Sequence, residues 1–184
     1  LPVTLELALL STVIGVALGV PLGVFAASRS GFGDALGQTF GLLGLGVPNF
    51  VLASAIVAVL STSFGYFPSA AAYVGLAEDP WFNLQQQILP ALVLGLALGA
   101  VVMRTTRSAF LEQASQDFVR TARGKGVAPA RIRWRHVLHN ALIPIVTITG
   151  IQLGYLLGGT IVVEQVFGLP GLGRLLVNAL YARD

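Results

Sequence analysis

The residues best suited to binding or catalysis in this sequence lie between positions 104 and 139. This stretch holds both histidines, His136 and His139, and eight of the eleven lysines and arginines. Two histidines do not complete a typical zinc site, and no carboxylate lies near them in the sequence. Because the chain contains no cysteine, thiolate metal sites and cysteine nucleophiles are excluded as well. We therefore predict no metal site and interpret the histidines as interfacial polar residues.

Two glycine-rich segments differ from nucleotide-binding loops at essential positions. In the first, Val119 stands where a P-loop has its first glycine, and Gly126 follows Lys125 where a P-loop has Ser or Thr. The second comprises Gly168, Gly171 and Gly173. It follows a hydrophobic segment and not the β-strand that a dinucleotide fingerprint requires. We predict that the chain is not an enzyme.

The composition indicates which elements must position these residues. Of the 184 residues, 55% are hydrophobic and 10% are charged, whereas soluble domains carry about 25% charged residues. So few charges do not cover a small soluble fold with polar surface. The chain is therefore predicted to be an all-α membrane protein, a polytopic bundle of transmembrane helices.

Long uncharged stretches predict four spans. About 20 apolar residues cross the hydrocarbon core as a helix, and suitable segments lie near 5–28, 38–63, 87–109 and 141–163. Four alternating spans place the loops 29–37, which contains Arg29, and 110–140 on one side. The positive-inside rule makes both loops cytoplasmic, with 65–86 and 164–184 extracytoplasmic. Aromatic anchors are expected at the outer interface, at Tyr66, Phe67, Tyr73 and Trp81.

Glycines recur every four residues in two of the predicted spans. They are Gly15, Gly19 and Gly23 in the first span and Gly150, Gly154 and Gly158 in the fourth. Small residues at this spacing let helix backbones approach closely in a membrane. Two interpretations stay open, ordinary packing of the bundle or a translocation pathway lined by one glycine face.

Ionisable residues are absent from the middle of the predicted spans, since Glu6, Arg104 and Glu164 lie near span ends. Ion-coupled transporters need such groups at membrane depth. Any energy source is therefore expected outside these helices. For Glu164 two hypotheses stay open, an ion pair with Arg174 or a position facing the pathway.

The basic loop 110–140 predicts two helices separated by a glycine turn. The apolar stripe of the first runs through Leu111, Ala114, Ser115, Phe118 and Ala122, and that of the second through Trp134, Val137, Leu138 and Ala141. Gly124 and Gly126 are expected to end the first helix, and Pro129 to begin the second. Three roles are considered for the loop: binding anionic lipid, binding nucleic acid or docking a cytoplasmic protein. No nucleic-acid motif is present, and lipid binding alone does not require the glycine turn.

The turn at 121–126, together with the run 135–144, resembles the cytoplasmic EAA loop of permease subunits of ABC importers for peptides and nickel. Aligned on Gly126, the general EAA motif matches at Ala122, Gly126 and Leu138, and the departures are similar to the arginine-rich form of the peptide branch. The segment 163–174 resembles the extracytoplasmic signature of the B-type peptide permease. Relative to the family, a first and a last helix are expected to be missing. Residues 1–184 would then form the core transmembrane domain, and 110–140 its coupling loop.

The resemblance implies roles for two groups of residues. Those that would contact an ATPase subunit are Phe118, Arg120, Thr121, Ala122, Arg123, Lys125 and Gly126. Those near the outer gate or the binding protein would be Glu164, Phe167, Pro170, Gly171, Gly173 and Arg174. In this family the loop helix docks in a groove of the ATPase, and ATP-driven closure of the ATPase dimer rocks the spans between inward- and outward-facing states.

The resemblance therefore predicts a non-catalytic permease subunit of an ATP-driven importer in the cell inner membrane, which conducts di- or oligopeptides, or nickel. The expected partners are a second permease subunit in a heterodimer, ATPase subunits, an extracytoplasmic binding protein and membrane lipid, with no nucleic acid. ATP and Mg²⁺ would be held by the ATPases, and this chain would hold no cofactor. The alternative is a membrane scaffold without transport activity, whose basic loop binds anionic lipid.

Overall fold

Helices make up almost all of the chain that the structure, a computed structural model, describes. The described residues are 1–28, 32–65 and 73–182. In chain order the helices are α1 (Pro2–Ser28), α2 (Phe32–Gly46), α3 (Asn49–Phe64), α4 (Pro80–Ala114), α5 (Asp117–Gly124), α6 (Pro129–Gly159), α7 (Ile161–Val166) and α8 (Leu172–Ala182). No strand occurs within these ranges, and the predicted all-α membrane fold is confirmed. Arg29, Tyr66 and Phe67, which carry predictions about the loops, lie outside the described residues.

Within the described residues, three helices are long and apolar enough to cross a membrane, namely α1, α4 and α6, with 27, 35 and 31 residues. At about 1.5 Å per residue, each exceeds the roughly 30 Å of the hydrocarbon core. They correspond to the predicted spans 5–28, 87–109 and 141–163, although α6 already ends at Gly159. Asp79 defines the start of α4, because its carboxylate accepts hydrogen bonds from the backbone N–H groups of Trp81 and Phe82 at 3.0 and 3.1 Å.

The second predicted span, 38–63, is not one continuous helix. α2 ends at Gly46, α3 begins at Asn49, and the two are bent by 90°. Pro48 explains the break, since it has no N–H to continue the hydrogen-bond ladder and disfavours helical geometry at Val47. The pair is therefore a broken span or a re-entrant segment. α3 ends at Phe64, next to the end of the predicted span, and is capped by Gly65, whose φ of 63° is left-handed.

α1 packs lengthwise on α4 through its glycine face. A Cβ atom on Gly19 would lie 2.7 Å from the backbone oxygen of Gly99. One on Gly23 would lie 2.6 Å from the Cβ of Thr106, and Gly15 has equally little room. The structure thus uses the first glycine series for close helix packing and not as the lining of an open path.

The second glycine series, on α6, has no such neighbour. A Cβ on Gly150, Gly154 or Gly158 would meet nothing within 4 Å among the described residues. Only 17% of the apolar part of α6 is buried, against 56% for α4. This face of α6 is open, because no helix in the described part of the chain packs against these three glycines.

Alanine substitutions should separate the two glycine series. Alanine favours a helix over glycine by roughly 1 kcal/mol, so Gly154→Ala should keep or slightly raise the stability of the purified protein. Gly19→Ala presses a methyl group against the Gly99 backbone oxygen, and overpacking of this kind costs about 1–3 kcal/mol. Thermal unfolding in detergent should show a lowered midpoint for Gly19→Ala only. Equal midpoints for the two variants would contradict the close α1–α4 contact.

Candidate functional site

The first half of the basic loop does not form the single helix that its apolar stripe predicts. α4 ends at Ala114, and α5 begins at Asp117 after an extended Gln116. The N–H groups of Ser115 and Gln116 bond only three residues back, the tight turn in which α-helices commonly end. Because this break rotates α5, Val119 is buried and Phe118 is exposed. Phe118, a member of the apolar stripe, therefore lies on the exposed side of α5.

A buried apolar cluster, which we call the α5 seat, holds this short helix against the bundle. Its members are Val24, Phe110, Val119, Ile132 and Val137. They belong to α1, α4, α5 and α6, so one small helix touches the loop-side ends of three long ones. Full burial of a valine side chain contributes about 1.5–3 kcal/mol. The seat therefore links the position of α5 to the positions of the long helices.

The residues predicted to contact an ATPase lie mostly on the free side of α5. Phe118, Arg120, Thr121, Arg123, Lys125 and Gly126 are exposed, and Ala122 is half-buried. Arg120 and Asp117 form an ion pair at 3.7 Å, but their side chains are 79% and 95% exposed. Solvent screens such a pair, which contributes little to stability. The free side of α5 thus presents an aromatic ring among cations, a surface suited to a partly apolar, partly acidic groove.

Gly126 ends α5 in a left-handed conformation, with a φ of 74°. The Val127 N–H donates to the Ala122 carbonyl at 3.1 Å, and the Gly126 N–H donates to the Arg123 carbonyl at 3.0 Å. These two bonds form a Schellman motif, which fixes the direction in which the chain leaves the helix. A Cβ on Gly126 would meet nothing within 4 Å among the described residues. The need for glycine is therefore conformational.

The second half of the loop is continuous with the last long helix. Pro129 lies in the first turn, as predicted, but α6 then runs without interruption to Gly159 through a π-helical segment, Ile132–Val137. Trp134, which the apolar stripe places inward, is exposed, whereas Val137 and Ala141 are buried as expected. A π-helical turn is wider than an α-helical one and shifts the register of the faces. The second half of the loop and the predicted fourth span therefore form one helix.

The segment after α6 is built around one buried carboxyl group. Glu164, on α7, is completely buried. Its Oε1 accepts hydrogen bonds from the hydroxyls of Thr4 and Thr160 at 2.8 and 3.1 Å. Its Oε2 accepts from the backbone N–H of Gly173 at 2.7 Å, while Thr4 accepts from the N–H of Leu172 at 2.9 Å. Side chains of α1 and α7 thus satisfy the first two N–H groups of α8, and the positive end of its dipole faces the carboxyl group.

Neither hypothesis about Glu164 matches this geometry. Arg174 instead donates from Nη1 to the Gly168 carbonyl at 2.9 Å, and the buried Glu164 faces no open path. A Cβ on Gly171 would collide with the carboxyl group, and one on Gly173 would lie 2.8 Å from Oε2. The two glycines therefore allow the turn to close over the carboxyl group, which explains their spacing in the sequence.

The turn between α7 and α8 repeats the geometry found at Gly126. Gly168 has a φ of 66°. The Leu169 N–H donates to the Glu164 carbonyl at 2.9 Å, and the Gly168 N–H donates to the Gln165 carbonyl at 3.2 Å, which forms a second Schellman motif. Of the residues predicted for the outer gate, Glu164, Phe167, Gly171 and Gly173 are buried, and Pro170 and Arg174 are exposed. Most of this group therefore shapes the segment and does not lie on its surface.

Known proteins are similar to this sequence over nearly its whole length. The family described as binding-protein-dependent transport system inner membrane component matches residues 19–184. The chain belongs to this family. A relative from Brucella abortus (strain 2308), whose name describes a peptide transport system permease, is 44% identical over 185 residues. The glutathione transport system permease protein GsiC of Escherichia coli (strain K12) is 43% identical over 182 residues.

These alignments cover far more of this chain than of its relatives. They include 100% of the chain and 59% of the Brucella protein, and 98% of the chain and 56% of GsiC. The chain thus spans somewhat more than half the length of the curated relatives it matches. The resemblance to permeases of the peptide branch is confirmed, as is a multi-pass location in the inner membrane.

This member of the binding-protein-dependent permease family has a second polar cluster, which the sequence did not single out as a site. Glu6 Oε2 accepts hydrogen bonds from the Tyr73 hydroxyl at 2.9 Å and from Gln87 Nε2 at 2.6 Å, with Asn83 Nδ2 at 3.4 Å. Burial and the bond to Glu6 raise the pKa of Tyr73 above its usual 10.0, so the hydroxyl remains a donor at neutral pH. Tyr73, one of the expected interfacial anchors, joins α1 to α4 through these hydrogen bonds. Trp81 is exposed, as an anchor would be.

The two histidines lie apart from both clusters of this permease. His136 and His139 are on α6, one half-buried and one exposed. Within the described ranges, no three His, Cys, Asp or Glu residues are grouped as a metal ion would require.

Proposed function

We propose that the chain is the core of a permease subunit that conducts substrate through the membrane in an ATP-driven importer, with ATP hydrolysed by separate subunits. The family match over residues 19–184 carries this proposal. The long helices support it, because they hold no ionisable group near their middles and leave the supply of energy to a partner.

α5 is the element that we assign to the ATPase. Its free side carries Phe118, Arg123 and Lys125, while Val119 joins it to the α5 seat. A partner that moves α5 would therefore move the loop-side ends of α1, α4 and α6 together. This linkage is what a rigid-body change between inward- and outward-facing states requires.

The opposite end of the bundle is assigned to the extracytoplasmic side. The positive-inside rule places the cation-rich loop 110–140 in the cytoplasm, so α7 and α8 face outward with the loop 65–86. Exposed apolar residues of α8 offer a surface to a binding protein, namely Leu175, Leu176, Leu180 and Tyr181. The open glycine face of α6 is assigned to a second permease subunit, in a heterodimer.

Peptides are the substrate class that we propose. The names of two relatives, from Brucella abortus and Escherichia coli, refer to peptide and glutathione transport. Nickel, which the resemblance to the wider branch also allows, is the competing substrate.

Reconstitution of the full-length complex tests this function. The permease pair, its ATPases and its binding protein should accumulate labelled peptides in vesicles only when ATP is present, and should not accumulate nickel. Nickel uptake without peptide uptake would reassign the substrate. A permease that never co-purifies with an ATPase but binds anionic vesicles would support the scaffold alternative.

A further inference from the structure

A groove runs along one face of α4 beside α2, and residues of α6 line one end of it. It consists of three cavities of about 190, 330 and 470 Å³. Leu45 and Val101 line both the first and the second cavity. Arg104 and Ser108 line both the second and the third, so the cavities adjoin. The lining residues of α4 extend from Leu94 to Ser108, which corresponds to about 21 Å of helix.

Arg104 carries a positive charge near the inner end of this groove. Its aliphatic stem lies against α2, since a Cβ on Gly41 would lie 3.3 Å from both its Cγ and its Cδ. Among the described residues no carboxylate pairs with it. Arg104 follows Trp81 by 23 residues, about 34 Å along α4. With Trp81 at the outer interface, Arg104 lies at the inner edge of a hydrocarbon core of about 30 Å.

Uncharged polar side chains also line the outer and middle cavities of the groove. Asn49, Gln152 and Tyr155 line the outer cavity, and Thr105 and Ser108 line the middle one. Amides and hydroxyls can donate to the carbonyls and accept from the N–H groups of a peptide backbone. The described lining contains no Asp, Glu or His, the side chains that bind divalent nickel, and the charge of Arg104 repels a cation.

We propose that this groove binds the transported peptide and that Arg104 recognises its terminal carboxylate. The inference rests on the proposed function and adds a charge preference to it. Arginine forms paired, charge-assisted hydrogen bonds with a carboxylate, and these strengthen beside a low-dielectric core. Arg107 lines the same inner cavity. A peptide that enters with its carboxylate leading meets this charge at the inner mouth.

Contact with lipid phosphate is the competing role for Arg104, because arginines near helix ends commonly reach headgroups. The two roles differ in their dependence on the substrate. Lipid contact acts on the transporter whatever the peptide carries, whereas carboxylate recognition acts only on peptides with a free C-terminus.

Uptake of two matched peptides by the reconstituted full-length complex separates these roles. Labelled trialanine and trialanine amide are compared for wild type, Arg104→Gln, Arg104→Lys and the control Arg131→Gln, which removes an exposed cation outside the groove. The variant-to-wild-type ratio is taken for each peptide, so the preference of the binding protein cancels. Arg104→Gln should lower kcat/KM for trialanine about tenfold, as expected for one charge-assisted bond, and for the amide less than about twofold. Arg104→Lys should recover part of the loss, and Arg131→Gln should match wild type.

Equal loss for both peptides in Arg104→Gln, or no loss for either, would overturn the recognition role and leave the importer function standing. Failure of wild type to accumulate either peptide with ATP would instead overturn the proposed function, and the recognition role with it. Unchanged thermal midpoints across the variants exclude misfolding as the cause of a selective loss.

Discussion

Replacing Glu164 with leucine should release α8 from the rest of the bundle. The substitution leaves the Gly173 N–H and the hydroxyls of Thr4 and Thr160 without their acceptor in a buried site. Each unsatisfied buried group costs about 1–3 kcal/mol. Leucine is similar in volume, so the loss comes from hydrogen bonds and not from a cavity. Because α8 is otherwise largely exposed, we expect local opening of α8 and not unfolding of the bundle.

Hydrogen exchange on the full-length permease measures this opening. Exchange changes about tenfold for each 1.4 kcal/mol, so amides of α8 should exchange about 100-fold faster, while those of α1 and α4 remain protected. Glu164→Gln keeps one acceptor oxygen and should give a smaller effect. Arg174→Gln removes only the exposed bond to the Gly168 carbonyl and should leave exchange near wild type. Unchanged protection of α8 in Glu164→Leu would show that the carboxyl group does not anchor it.

Replacing Gly126 with valine should uncouple ATP hydrolysis from transport. Gly126 has a φ of 74°, a conformation that costs non-glycine residues about 1–2 kcal/mol and is worse for β-branched ones. The strain is expected to break the Schellman motif and to redirect α5 relative to α6. If α5 docks on the ATPase as proposed, uptake should fall at least about tenfold, which corresponds to about 1.4 kcal/mol of lost coupling, while ATP hydrolysis continues.

Gly124→Val is the matched control for this variant. Gly124 lies in the last turn of α5, has no left-handed φ, and also has open space around its Cβ position among the described residues. The same side chain two positions away should therefore preserve the turn and give higher uptake than Gly126→Val, and both variants should keep the thermal midpoint of the long helices. Normal uptake by Gly126→Val would refute the role of the turn in coupling.

Features that depend on local chemistry are those that the sequence predicts correctly. Three spans follow from the length of their apolar runs, and the end of α5 at Gly126 follows from the ability of glycine to adopt a left-handed φ. Pro129 begins a helix because its missing N–H is not needed there. Pro48 favours a break in the second span, whereas the uncharged length of 38–63 favours a continuous one.

Features that depend on long-range contacts were not predictable in this way. Thr4 and Glu164 are 160 positions apart, and no periodicity connects them. A break of two residues after Ala114 turned Val119 inward in place of Phe118, since burial depends on how α5 meets its seat. The hydrogen-bond partners of Glu6 lie far from it in the sequence, and only the packing of α1 against α4 brings them together.

By itself, the sequence determined that the protein lies in a membrane, that three of its apolar runs form helices long enough to cross it, and which loop carries the positive charge. These properties follow from apolar length, from backbone preferences of Gly and Pro, and from charge placement. The tertiary structure alone decided which glycine series packs and which stays open, and that Glu164 holds α8 in place. Both glycine series have the same spacing, and spacing does not specify the surface that faces it. That surface forms only when the helices pack against one another.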